Sequence, residues 1–115
     1  MLSQLAKDVK LALSKAFPNT LIKEEEYLNY KGHKLFFDFY LPSLNVYVEV
    51  QGSQHTEFTK HFHGIAAVFR AAKKRDALKV EWCDLNDSTL VRINYNEIPI
   101  SVDDLLNKIA EAQDG

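Results

Sequence analysis

Residues 38–55 read DFYLPSLNVYVEVQGSQH, and the way this stretch alternates decides the fold. Successive side chains of a strand point to opposite faces. Phe36, Asp38 and Tyr40 therefore share one face, and Phe37, Phe39 and Leu41 the other. After Pro42-Ser43-Leu44-Asn45, a natural turn, Val46, Val48 and Val50 form an apolar face opposite Tyr47, Glu49 and Gln51. A turn there makes the two strands antiparallel neighbours and brings Asp38 and Glu49 toward one face. Two carboxylates meeting beside aromatic residues repel each other unless a cation lies between them. The expectation is a hard divalent metal held by oxygen.

Working outward, the remaining segments supply a sheet and its cover. Residues 3–17 follow the 3.6 period through Leu5, Val9, Ala12, Leu13 and Ala16, with Ser3 as N-cap and Pro18 as stop. Asp8 on this helix is either a surface acid or a third carboxylate near the site. Residues 21–30 read as a strand that carries Glu24-Glu25-Glu26, and acids are poor strand formers, so this strand belongs at an exposed edge. Lys31-Gly32-His33 turns the chain into the strand 34–41, which pairs with 45–51. Residues 53–64 show no period, hold His55, His61 and His63, and read as a loop over the active face.

Residues 65–86 predict a long helix. At 100° per residue, Arg70, Lys73, Lys74, Glu81 and Asp84 share a polar face. Ile65, Val68, Phe69, Ala71, Ala72, Leu78, Trp82, Cys83 and Leu85 take the other side, with Arg75, Asp76 and Lys79 among them. Charges on a core-facing stripe are unfavourable unless paired or functional, so these three form either an ion-pair cluster or part of a site. A strand over 88–95 and a short helix from Ser101 to Ala112 complete the order α-β-β-β-α-β-α, one domain spanning 1–115 with a mixed sheet.

Bulk properties exclude several classes. With 115 residues, 46% hydrophobic and 26% charged, the chain is an ordinary globular size and composition. One cysteine rules out an internal disulfide, and no apolar run approaches a membrane span or a signal peptide, so the expectation is an intracellular, cytoplasmic protein with no membrane partner. The net charge of −2 argues against a generally basic nucleic-acid binder. From Lys60 to Lys79, however, six basic residues face one acid, a local +5 that suits a phosphate-binding surface as well as a solvated helix face. His61-x-His63 with Cys83 lacks the spacing of a zinc finger, Cys83 falls on the buried side of the helix wheel, and no glycine-rich loop precedes a helix.

Asp38-x(10)-Glu49-x-Gln51, followed by Gly52-x-x-His55, resembles the PD-(D/E)XK nuclease superfamily, and more narrowly its very-short-patch-repair-endonuclease-like branch of small phage and homing-type nucleases. The similarity runs from Lys34 to Glu97. FDFYLP resembles that branch's first metal-ligand strand, VEVQGSQH its second strand and histidine, RDALKVEWC its helix motif, and LVRINYNEI its closing strand. Phe62-His63-Gly64 is similar to its loop phrase.

The resemblance implies a restriction-endonuclease-like αβββαβ core with an extra C-terminal helix. It implies Mg²⁺, with Mn²⁺ as the alternative, held by Asp38, Glu49 and the backbone carbonyl of Val50. Gln51 stands where the superfamily has lysine, and its role would be to position water. His55 or Lys79 would assist catalysis. Lys60, Arg70, Lys73, Lys74 and Arg75 would contact the backbone of DNA, and Asp76 and Arg92 would orient the groups around the metal. The expected activity is a metal-dependent endonuclease that hydrolyses or nicks DNA, acting by DNA structure, as a homodimer, or within a larger DNA-processing assembly. A non-catalytic nucleic-acid-binding module on the same fold is the alternative.

Overall fold

The computed structural model describes residues 2–52 and 63–115, with side chains described for 2–52 and 66–115. Helix α1 (Gln4–Ala16) leads to strands β1 (Lys23–Tyr30), β2 (His33–Leu41) and β3 (Val46–Gln51). Helix α2 (His63–Leu85), strand β4 (Thr89–Asn94), a 3₁₀ turn (Tyr95–Glu97) and helix α3 (Val102–Asp114) follow. The four strands lie in the order β1-β2-β3-β4; β1, β2 and β3 are antiparallel, and β4 runs parallel to β3. The fold is mixed α/β, with a four-stranded mixed sheet and three helices.

Local chemistry explains the ends and turns. The Ser3 hydroxyl accepts the Ala6 N–H, and Ser101 caps α3 by accepting the Asp104 N–H, each satisfying a donor that the first helical turn leaves without a partner. Lys31 and Gly32 both have positive φ, 51° and 77°, between the paired residues Tyr30 and His33. That is the two-residue hairpin turn whose twist matches its strands. Asn45 (φ 54°) closes the β2–β3 loop. Its Oδ1 accepts from the Tyr40 and Ser88 hydroxyls, and its Nδ2 donates to the Asp87 carbonyl.

Two apolar layers clothe the sheet. On one side α1 and α3 bury Ala6, Val9, Leu13, Leu105 and Ile109 against Phe39, Leu41, Val46, Val48, Val91 and Ile93. On the other, α2 places Leu78 and Cys83 against Leu35, Phe37 and Tyr47. Tyr47 stacks on Tyr40 at 4.1 Å between ring centroids and meets Trp82 edge-on at 5.5 Å. β1 is the expected edge strand.

Strict alternation fails along β2. Leu35 and Phe37 pack beneath α2, whereas Phe39 and Leu41 pack beneath α1 and α3, so Phe37 does not share a face with Phe39 and Leu41. The ladder is interrupted between them. The β1–β2 register omits the Glu25–Asp38 pair, and Glu25 takes φ 52°, a left-handed conformation that is uncommon for residues other than glycine. Pairing of β2 with β3 stops at Phe39 and Val48. Across the interruption at Asp38 the apolar side chains of β2 change from the α2 side of the sheet to the α1 and α3 side. The helix wheel also assigned too much of α2 to the interior. Val68 and Leu85 are 66% and 67% exposed, and Ala71 is exposed, whereas the described packing of α2 on the sheet runs through Leu78, Trp82 and Cys83 in its C-terminal half.

Candidate functional site

The interruption at Asp38 opens a cavity of about 310 Å³, lined by Phe36, Asp38, Glu49, Val50 and Gln51 from the sheet and by Ala72, Arg75, Asp76 and Lys79 from α2. The two acids expected to converge do line one space. So do Arg75, Asp76 and Lys79, the charged residues that the helix wheel put on the inner side. Ala72, Asp76 and Lys79 recur at helical spacing, so one stripe of α2 carries the whole far wall.

Glu49 is 6% exposed and is the buried charged residue of the described core. One of its oxygens, Oε1, pairs with Lys79 Nζ, and the other accepts from Arg92 Nε at 3.2 Å. Arg92 also donates from Nη2 to the Asp76 carbonyl at 3.0 Å, which ties β4 to α2. The Asp76 carboxylate lies 4.0 Å from both Lys79 and Arg92. Glu49, Asp76, Lys79 and Arg92 thus form a charge-balanced network, which is how a protein tolerates a carboxylate this far from water. Of the three inner charges of α2, Asp76 and Lys79 belong to this ion-pair network, and all three line the cavity.

Asp38 differs. Its Oδ2 accepts the Val50 N–H at 2.8 Å, and among the described residues no hydrogen bond engages Oδ1. Burial pushes its carboxyl above the usual aspartate range and the nearby Glu49 adds to the rise, against the pull of the Val50 N–H and Lys79. A half-buried acid held beside a second acid favours a proton or a cation over bare charge.

A metal can be tested against this donor set. Two carboxylates at a cavity wall are hard donors of the kind Mg²⁺ and Mn²⁺ take. Among the described residues no three His, Cys, Asp or Glu side chains converge as a metal-holding set. A cation here would have Asp38 and Glu49 as its protein carboxylates and would share Glu49 with Lys79 and Arg92. The Val50 contact that the structure gives is through its N–H, whereas the resemblance assigns its carbonyl.

The other expected site residues fall in three places. Gln51 ends β3 at the cavity, and Arg92 contacts Glu49 directly. Arg70, Lys73 and Lys74 are exposed on the outer side of α2, where Lys73 Nζ lies 5.0 Å from the Phe69 ring centroid. His55 and Lys60 lie outside the described residues, as do His61 and the side chain of His63. Asp8 is a surface acid, accepting from Gln4 at 3.2 Å on the outer face of α1. Cys83 is buried, and burial pushes its thiol up to about 11; it is a core residue and not a nucleophile at neutral pH. Phe36 was not among the expected site residues. Its place beside Asp38 was visible in the sequence, but an exposed aromatic on a strand carries no signal by itself.

No protein-family model matches the chain, and no solved structure matches it. The chain is similar to a protein of Invertebrate iridescent virus 6 described as "Uncharacterized protein 307L", 41% identical over 61 residues. That match takes in 53% of this chain and 31% of the viral protein, so the chain accounts for under a third of that relative's length. Among the described residues no helix is long and apolar enough to cross a membrane.

Proposed function

We propose that the protein is a metal-dependent endonuclease that hydrolyses or nicks DNA phosphodiester bonds on a restriction-endonuclease-like core. One observation carries the reading: Asp38, at the interruption of β2, lines a single cavity with Glu49, opposite Arg75 and Lys79 of α2. A phosphodiester needs its equatorial oxygens neutralised and a water aligned opposite the leaving oxygen. Lys79 and Arg75 supply positive charge at the cavity wall. Gln51 supplies an amide that orients water by hydrogen bonding and cannot serve as a charged acid. Asp38 and Glu49 would hold Mg²⁺ or Mn²⁺, which when bound neutralises phosphoryl oxygens and acidifies water. His55 or Lys79 would move the proton, and the exposed Arg70, Lys73 and Lys74 would hold the DNA backbone.

The test is incubation of the whole chain with supercoiled plasmid and Mg²⁺. Nicking that disappears with a chelator and in Asp38→Ala supports the reading; the absence of Asp38-dependent nicking in Mg²⁺ and in Mn²⁺ sinks it.

A second reading is favoured by a specific contact. Both Glu49 oxygens are taken by protein cations, an arrangement that suits a nucleic-acid-binding module without metal chemistry. Wild-type protein that retards DNA on a gel and releases or absorbs no heat on titration with Mg²⁺ or Mn²⁺ would establish that reading instead.

A further inference from the structure

The outer half of the β1–β2 hairpin has one covered face. Leu28, Tyr30, Leu35 and Phe37 turn toward α2 and its cluster. The opposite face carries Tyr27 and Phe36, which are direct cross-strand partners and are 58% and 43% exposed. Directly paired residues of antiparallel strands stand on the same face with their β-carbons about 5 Å apart, so Tyr27 and Phe36 lie side by side on this face. Lys34 Nζ lies 4.2 Å from the Tyr27 ring centroid. Phe36 also lines the cavity that holds Asp38 and Glu49. Phe36 is thus the residue at which this face meets the candidate site.

We propose that Tyr27 and Phe36, flanked by Lys34, are a stacking platform for unpaired nucleobases of the strand whose phosphate enters the Asp38 cavity. The inference rests on the nucleic-acid part of the reading above and deepens it by naming the substrate class: single strands, or duplexes with unpaired bases beside the phosphate to be cut.

Three features favour a base as the occupant. Exposed aromatic rings beside a lysine are how proteins hold single-stranded nucleic acid, with the ring taking the base and the ammonium taking the phosphate. A base offers its flat face only when it is out of the duplex stack, so a platform of this kind selects unpaired nucleotides. The acids of β1 act in the same direction. The run Glu24-Glu25-Glu26 concentrates acid on this strand, with Glu24 paired to Lys10 at 3.2 Å, and disfavours a phosphate backbone laid along β1. A neutral base suits that ground, and the phosphates are left to Lys34 on one side and to Arg75 and Lys79 on the other.

The test is binding of the whole chain, in a chelator so that nothing is cut, to a fluorescein-labelled single-stranded oligonucleotide, to an abasic strand of the same length, and to the matching duplex. Wild type is expected to prefer the base-bearing single strand. Tyr27→Ala and Phe36→Ala should each weaken that binding by about tenfold and leave the abasic strand unaffected. Tyr27→Trp should retain it, and Tyr27→Leu, which keeps apolar surface without a π face, should lose it. Circular dichroism with a thermal melt checks that each variant folds.

Equal wild-type affinity for base-bearing and abasic strands, a preference for the duplex, or no binding to any of them overturns the proposal. So does a folded Tyr27→Ala that binds as wild type does. These outcomes are separate from those of the nicking assay. Platform-dependent binding without Mg²⁺-dependent nicking leaves the platform standing and the endonuclease reading fallen. Asp38-dependent nicking with binding indifferent to Tyr27 does the reverse.

Discussion

The Asp38 carboxylate accepts the backbone N–H of Val50 at 2.8 Å, just beyond the point where the β2–β3 ladder ends at Phe39 and Val48. A side chain has taken over the work of the ladder. The amide that would otherwise have lost its strand partner is satisfied, and the two strands stay tied while they part enough to open a cavity. The residue that breaks the pattern is also the one that brings a carboxylate to the cavity wall beside Glu49.

That position sets a stability cost that depends on pH. Burial, reinforced by Glu49, raises the Asp38 carboxyl above its ordinary value of 3.8. The folded state therefore holds this proton more tightly than the unfolded chain, and stability falls as pH rises through the interval from 3.8 to the raised value. Asp38→Asn keeps an oxygen for the Val50 N–H and removes the charge. It should melt at a higher temperature than wild type at pH 7, with the difference closing below pH 3.8, while nicking is lost. A lower melting temperature at pH 7 would show that the charge is compensated.

Lys79 is the close counter-ion of Glu49, and the pair is nearly buried. Lys79→Met leaves Glu49 with Arg92 alone, so the loss is expected at about 3 kcal/mol, the low end for breaking a buried pair. Adding Glu49→Gln should recover part of it, and a double-mutant cycle in urea measures the coupling. Removing the ammonium also removes the competitor for the acids. Lys79→Met should bind Mg²⁺ more tightly than wild type by calorimetry, on the order of tenfold, and yet nick DNA more slowly. Weaker Mg²⁺ binding in the variant would mean that the two acids do not share a cation.

Asn45 links the β2–β3 turn to the start of β4. Its backbone takes φ 54°, its side chain bonds Tyr40, Ser88 and Asp87, and its carbonyl accepts the Thr89 N–H at 3.0 Å. Asn45→Gly keeps the left-handed conformation and loses the side-chain bonds; Asn45→Ala loses both. Alanine should therefore cost about 1 kcal/mol more than glycine, read from urea midpoints. Equal costs would assign the whole effect to the hydrogen bonds.

The hairpin, its turn and the edge position of β1 were legible because each rests on a local rule: alternation around Pro42–Asn45, Lys31-Gly32 between strands, and acids in Glu24–Glu26. The charges on the inner stripe of α2 were legible because charges on an apolar face are unfavourable unless paired or functional. Two things were not legible. The change of face at Asp38 comes with a break in the ladder shared with Glu25 across the strand pair, which no single-strand period encodes. The exposure of Val68, Ala71 and Leu85 depends on which part of α2 meets the sheet, and a helix wheel carries no information about its partner.

The basic residues of α2 divide by geometry, and salt separates their roles. Arg70, Lys73 and Lys74 are exposed on the outer side, whereas Arg75 lines the cavity. Each phosphate contact to duplex DNA contributes about 0.9 to the slope of log affinity against log salt. Replacing Arg70, Lys73 and Lys74 together with glutamine should lower that slope by up to about 2.7, and nicking should recover at low salt and saturating protein, because those residues only gather the DNA. Arg75→Gln should lower the slope by about 0.9 and leave nicking slow even at saturation, because its guanidinium sits at the cavity where the phosphate must be neutralised. Filter binding between 50 and 200 mM salt gives the slopes, and single-turnover nicking gives the rates. An Arg75→Gln variant that nicks at the wild-type rate once saturated would place Arg75 with the outer three, and the cavity would then rely on Lys79 alone for its positive charge toward substrate.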